Sequence, residues 1–307
     1  MIVVVCPGQG SQTPGFLSPW LAEPAFAERL SALSAAAGLD LAKHGTESDA
    51  DTIRDTAVAQ PLIVAAGLLA LEALTADGRA SRLGGIAGHS VGEITAAAGT
   101  GVLSDADAMR FVAERGRAMA DAAAQAATGM SAVIGADEDT LLARLAELGL
   151  EPANFNGGGQ IVVAGAVEAL DALKAEPPAG ARVIPLQVAG AFHTRYMAPA
   201  VDRLAEVATT LSPADPTLRL WTNHDGRIVT SGAEFVDLLV GQVSSPVRWD
   251  RCMAAFADAG VTGIIEVAPA GALVGLAKRA LKGVPAVAVK TPDDLPAAFE
   301  LIDAAAA

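Results

Sequence analysis

Aromatic residues are scarce in this chain of 307 residues, at 4% of the total with a single tyrosine, so the core has to be built from Ala, Val, Leu and Ile. Cysteine is nearly absent. Cys6 and Cys252 stand far apart in no metal-binding or redox spacing, and they read as two small buried apolar residues. Basic residues are few: 35 acids against 21 bases leave a formal charge of -14, which excludes general attraction to phosphate backbones or anionic lipid. Nucleic acid is therefore not an expected partner. No long hydrophobic run occurs. Leu62 to Leu71 ends at Glu72, short of the roughly 18 apolar residues that span a bilayer, and Met1 to Cys6 lacks the basic leader of a signal peptide. A soluble, cytoplasmic protein without a membrane partner is expected.

What is present points to a folded α/β protein. With 52% hydrophobic and 18% charged residues, disorder is excluded. The length suits one large domain or two joined ones. Ile2 to Val5 is a continuous β-branched run that breaks at Pro7-Gly8, as a strand buried on both faces does. Helical spacing follows from Phe16 to Ala37 and again from Pro61, which suits a first helical position, to Ala76. Gly85 to Gly88 reads as a short strand and Val91 onward as a helix. From Gly129 to Val188 the order becomes β-α-β-β-α-β: Met130–Ile134, Glu138–Leu148, Pro152–Phe155, Ile161–Ala164, Val167–Lys174 and Arg182–Leu186. This is the ferredoxin-like order. Around it, longer helices alternate with short apolar strands such as Leu218–Trp221 and Gly263–Val267, which implies a mostly parallel sheet. The division expected is a large subdomain over residues 1–127, an inserted small one over 128–189, and the rest of the large one over 190–307.

Gly88-His89-Ser90-Val91-Gly92 matches G-x-S-x-G, the nucleophile elbow, between a strand and a helix as that motif requires. Unpaired N–H groups at the helix start favour a developing oxyanion. A serine nucleophile needs a base, and the candidates are His44, His89, His193 and His224. His89 adjoins Ser90 but should diverge from it. His44 falls in a Lys-His-Gly loop, and His224 in an Asn-His-Asp-Gly turn. His193 follows an apolar strand, a common place for a catalytic group.

The first turn, Pro7-Gly8-Gln9-Gly10-Ser11-Gln12, has Thr13 where a dinucleotide fingerprint needs a third glycine, and it lacks the Gly-Lys-Ser/Thr of a phosphate loop. Gln9 is left at the carboxyl end of the first strand, where its N–H could complete an oxyanion hole. Arg115 interrupts a helix rich in Ala, Met and Val. It is either part of a solvated face or a cation in the cleft suited to a carboxylate.

Gly8-Gln9-Gly10-Ser11-Gln12, Gly88-His89-Ser90-Val91-Gly92-Glu93, Arg115-Gly116, Asn154-Phe155-Asn156 with Gly159-Gln160, Ala191-Phe192-His193-Thr194, and Gln242 ahead of Pro246-Val247 occur in that order. Together they resemble the malonyl-CoA:acyl carrier protein transacylases, of the actinobacterial type, over nearly the whole chain. The resemblance implies an α/β-hydrolase-like large subdomain with an inserted ferredoxin-like one, malonyl-CoA as substrate, an acyl carrier protein as acceptor, and a monomer without metal or organic cofactor. It makes Ser90 the nucleophile and His193 its base, with the N–H groups of Gln9 and Val91 as oxyanion hole. Arg115 would hold the malonyl carboxylate, and the backbone carbonyl of Gln242 would orient His193. Asn154 and Asn156 would stand near the substrate. Phe192 resembles the malonyl-selective form, its bulk filling the space an α-methyl group needs. Val91 stands where many members have Leu.

Two other readings stay open: a serine thioesterase or hydrolase, for which Asp171 on a small-subdomain helix is a poor orienting acid, and a carrier-docking protein without activity. Because carriers of this kind are acidic, docking should use a local basic patch. Lys278, Arg279 and Lys282 are the candidates, with Lys278 and Lys282 at the i, i+4 spacing of one helical face.

Overall fold

The computed structural model describes residues 1–305. Among these residues ten strands form two sheets: β1 Ile2–Cys6, β2 Leu83–Gly88, β3 Thr128–Ile134, β4 Glu151–Gly157, β5 Gln160–Ala166, β6 Arg182–Pro185, β7 Arg219–Trp221, β8 Ile228–Val229, β9 Gly263–Glu266 and β10 Ala286–Ala288. The α-helices are α1 Pro24–Ala37, α2 Leu41–Thr46, α3 Thr56–Thr75, α4 Gly92–Gly99, α5 Asp105–Ala123, α6 Glu138–Leu148, α7 Val167–Ala175, α8 Ala198–Ala208, α9 Gly232–Gln242, α10 Trp249–Asp258, α11 Ala272–Ala280 and α12 Leu295–Ala304.

The large sheet has the order β10-β9-β1-β2-β7-β8, parallel throughout except for β8 at one edge. β1 shows why its run is apolar without alternation. Ile2, Val4 and Cys6 pack into the core shared with α1, α3 and α5, while Val3 and Val5 face α10 and α11 on the other side. The register pairs Cys6 with Gly88, so β1 and β2 end side by side. The turns that follow them, Gly8-Gln9-Gly10 and the Ser90 elbow, consequently meet above the carboxyl edge of the sheet, where open α/β sheets bind ligands.

The small sheet, order β4-β5-β3-β6, is antiparallel and carries α6 and α7 over a core of Val133, Leu141, Leu145, Val163 and Leu173. This is the β-α-β-β-α-β arrangement expected, with α6 over the same residues as read from the sequence. Met130, Ala132, Ala153, Val162 and Ala164 of this sheet pack into the large core, and backbone bonds add to the join. Phe155 N–H donates to Val247 O at 2.8 Å and Val247 N–H to Ala153 O at 2.9 Å, which fixes β4 beside the cleft.

Several local expectations need correction. Pro61 is not at a helix start: α3 begins at Thr56, capped by Asp55, and Pro61 lies inside it. Fifteen of its twenty residues are buried, and that burial outweighs the backbone hydrogen bond a proline removes. By length and composition α3 could also cross a membrane, a property the run Leu62–Leu71 alone did not suggest, but here its apolar surface is spent on the protein core. The Phe16–Ala37 stretch is split, with a 3-10 turn at Trp20–Ala22 before α1. His44 lies on α2, where the Asp40 cap makes a short helix of an expected loop.

Candidate active site

Ser90 sits at φ 54, the strained left-handed turn that lifts its side chain off the sheet edge. Only glycine fits beside it. A Cβ on Gly88 would come within 2.0 Å of Gly92 C, and one on Gly92 within 2.1 Å of Cys6 O. His89 N–H donates to Cys6 O, and Gly92 and Glu93 start α4 by donating to His89 O and Ser90 O. The Ser90 side chain is half-buried at the floor of a cavity of about 400 Å³.

His193 Nε2 lies 2.7 Å from Ser90 Oγ. On the other side of the ring, Nδ1 is 2.9 Å from the backbone carbonyl of Gln242. A carbonyl only accepts, so Nδ1 carries the proton and the Nε2 lone pair faces the serine hydroxyl. The ring is not delivered by a strand end, as the sequence suggested: β6 stops at Pro185, and His193 belongs to an irregular segment at φ 63, pinned by its own N–H on Val243 O. Burial, with the nearby Arg115 cation, pushes its pKa down to about 3, so the imidazole is neutral at physiological pH.

Arg115 is 1% exposed and makes no salt bridge among the described residues. Its guanidinium donates instead to two neutral oxygens, Gln60 Oε1 at 2.7 Å and Gln242 Oε1 at 2.8 Å, and reaches within 3.5 Å of Ser90 Oγ. The solvated-face alternative for this residue is thereby excluded. Gln9, Val91 and Phe192 line the same cavity, and neither the Gln9 nor the Val91 N–H has a protein acceptor among the described residues.

The two asparagines behave differently. Asn154 Oδ1 is buried without a partner beside the cavity, as is Gln9 Oε1. Asn156 is occupied: its Oδ1 lies 2.9 Å from His89 Nε2, and its Nδ2 donates to Gln160 at 3.0 Å. It therefore latches the elbow to β4, and His89, edge-on to Trp249, braces the elbow rather than serving Ser90.

Lys278, Arg279 and Lys282 do not form one helical face. α11 ends at Ala280 and Leu281 leaves the helical conformation, which puts Lys282 beyond the helix. Arg279 lines the cavity, its stem against Gly158. Asp171 lies on α7 in the small subdomain. Among the described residues no group of three or more His, Cys, Asp or Glu is arranged to hold a metal.

Three functional neighbours escaped the sequence reading. Asn223 clamps the elbow, with Oδ1 accepting from Ser90 N–H and Nδ2 donating to Gly88 O, both at 2.7 Å. Gln60 holds Arg115. Glu93 is buried under the site and accepts from Asn223 N–H and Gln242 Nε2. Glu93 closes the Gly88-to-Glu93 motif, but the motif by itself gave it no role.

The acyl transferase domain family matches residues 3–293. A curated relative from Mycobacterium tuberculosis, a malonyl CoA-acyl carrier protein transacylase, is 54% identical over 299 residues, covering 96% of this chain and 98% of its own. The crystal structure of the transacylase from that organism superposes with a TM-score of 0.94 at 53% identity, over 97% of this chain and 99% of that one. A malonyl transacylase solved in complex with its type II polyketide acyl carrier protein superposes with a TM-score of 0.91 at 32% identity, over 97% and 99%.

Proposed function

Because the chain belongs to the malonyl-CoA:acyl carrier protein transacylases, we propose that it carries malonyl from coenzyme A to the phosphopantetheine thiol of an acyl carrier protein through an ester on Ser90. The observation that carries the reading is the buried Arg115 cation without a carboxylate partner, 3.5 Å from the Ser90 hydroxyl. An acyl group with its own carboxylate supplies the missing anion.

In the first half-reaction His193 Nε2 takes the Ser90 proton as Oγ bonds to the thioester carbonyl carbon. The oxyanion faces the free N–H groups of Gln9 and Val91. On collapse the carbon–sulfur bond breaks, and His193 returns the proton to the departing thiolate of coenzyme A. In the second, the carrier thiol gives its proton to His193 and attacks the ester, and Ser90 leaves with that proton. A neutral carbonyl orienting His193 adds no negative charge beside an anionic acyl group, unlike the acid of a hydrolase triad. Thioesters are already activated, so these steps need no metal or organic cofactor. Phe192 fills the space of an α-methyl group, and Asn154 Oδ1 is free to accept from the substrate. The working unit is a cytoplasmic monomer with subdomains at 1–127 plus 190–307 and at 128–189. Carrier docking uses the positive charge of Arg279 at the cavity, with Lys278 and Lys282 outside it.

Incubation with malonyl-CoA and a carrier protein tests the reading by mass spectrometry. Carrier bearing the phosphopantetheine arm should gain one malonyl group, and apo-carrier none. Release of free malonate without carrier acylation would make the protein a hydrolase.

A further inference from the structure

The carboxylate of Glu93 lies 1% exposed beneath the proposed catalytic residues and touches none of the reacting atoms. Two N–H donors converge on it: the Asn223 amide at 2.6 Å on one oxygen and Gln242 Nε2 on the other. Gln242 is the hub. The same Nε2 donates to Ser90 O at 3.1 Å, its Oε1 accepts from Arg115, and its backbone carbonyl holds His193 Nδ1. With an acceptor on the Glu93 side, the Gln242 amide has one permitted orientation, and that orientation aims oxygen at the Arg115 guanidinium. Turned over, it would aim NH₂ at the N–H donors of Arg115 Nη2.

Resting on the acylation reading above, we propose that Glu93 is a positioning residue whose ionised carboxylate sets the Gln242 amide, and that its protonation, not that of His193, produces the acidic limb of the acylation rate. When Glu93 takes a proton from solvent, the protonated oxygen turns from acceptor to donor, a proton that the Thr222 hydroxyl can accept, and the hold on the Gln242 amide weakens. Gln242 is then released, and Arg115 and His193 lose the partner they share. The two groups are separated by their surroundings. Burial pushes the Glu93 carboxyl up to about 7, even against hydrogen bonds from Asn223, Gln242 and Thr222 and the Arg115 charge, whereas His193 is held down at about 3.

The charged and titratable groups around Glu93 are few. Arg115 on α5 favours its ionised form, and Cys252 on α10 is a buried thiol kept neutral by desolvation and by Glu93 itself. Burial lowers the pKa of His89 in the elbow, and burial, with Glu266 second, raises that of the Cys6 thiol on β1. The acids of the other packed helices, Glu72 on α3 and Glu234 and Asp237 on α9, are exposed.

The test is the rate of acyl-enzyme formation from malonyl-CoA, read by quenched-flow intact mass from about pH 8 to about pH 5.5. In the wild type the rate should fall with a midpoint near that of Glu93, roughly tenfold per pH unit below it. Glu93→Gln offers one acceptor to two donors, so its rate should be lower at neutral pH but nearly flat across the range. A wild-type measurement guards against misfolding of the variant: ¹⁵N NMR of the imidazoles, with the rings of His44 and His224 assigned by substitution to Gln, should show the two buried rings neutral while the rate falls. An acidic limb that persists in Glu93→Gln, a buried ring that titrates with the rate, or a wild-type rate without an acidic limb would each overturn the proposal. If the wild type forms no acyl-enzyme at any pH, the functional reading fails and takes this proposal with it.

Discussion

A guanidinium buried with no carboxylate in direct contact is costly, and two glutamine oxygens accept from it without cancelling its charge, while the Glu93 carboxylate acts on it only at longer range. In the proposed reaction the substrate's carboxylate supplies the anion in contact with it. Arg115→Ala is expected to lower malonyl transfer while sparing or raising acetyl transfer, since acetyl has no carboxylate to lose. A charge-assisted contact of about 1.5 to 3 kcal/mol corresponds to roughly 10- to 100-fold in the malonyl-to-acetyl ratio of kcat/KM. Equal losses for both would assign Arg115 a structural role. Ser90, His193 and Arg115 were legible in the sequence because each is a chemically distinctive side chain in a motif or in an unlikely setting. Gln60, Asn223 and Glu93 were not, because their work lies in contacts across 55 to 149 residues that no local pattern records.

Among the elements, α11 depends most visibly on a single side chain. Glu266, at the end of β9, accepts from Leu273 N–H at 3.0 Å and Val274 N–H at 2.9 Å and so caps the helix from a neighbouring strand. The same helix contributes Leu273, Leu276 and Arg279 to the cavity wall. Glu266→Ala leaves buried N–H groups unpaired and should cost about 2 kcal/mol, the loss of two charge-assisted bonds offset in part by the desolvation no longer required. Denaturant unfolding should show a lower midpoint at unchanged slope, and an unshifted midpoint would show that the cap contributes nothing. The small sheet's elements were readable from alternation and helical spacing, since each packs on one face. The starts of α2 and α3 and the end of α11 were not, because burial overrode Pro61 and Leu281 broke a helix that the lysine spacing extended.

For the whole molecule, the fold class followed from apolar strands buried on both faces, but the meeting of β1 and β2 at one edge depends on strand order, which spacing does not encode. The charge of -14 acts at this scale as well, because an acidic carrier is repelled unless cations concentrate where it docks. Reversing charge at Lys278 and Lys282, with Arg279 intact, should leave self-acylation unchanged while weakening carrier transfer and its salt dependence. Unaltered transfer would move docking elsewhere. All of these effects presuppose that Ser90 carries the acyl group between two partners. A single-turnover intact-mass measurement tests this most directly: the protein is mixed with malonyl-CoA, freed of it, and chased with carrier bearing its phosphopantetheine arm. The wild type should gain one malonyl group on Ser90 and pass it to the carrier, and Ser90→Ala should gain none. A stable malonyl adduct on Ser90→Ala, or carrier acylation by that variant at the wild-type rate, would contradict the account.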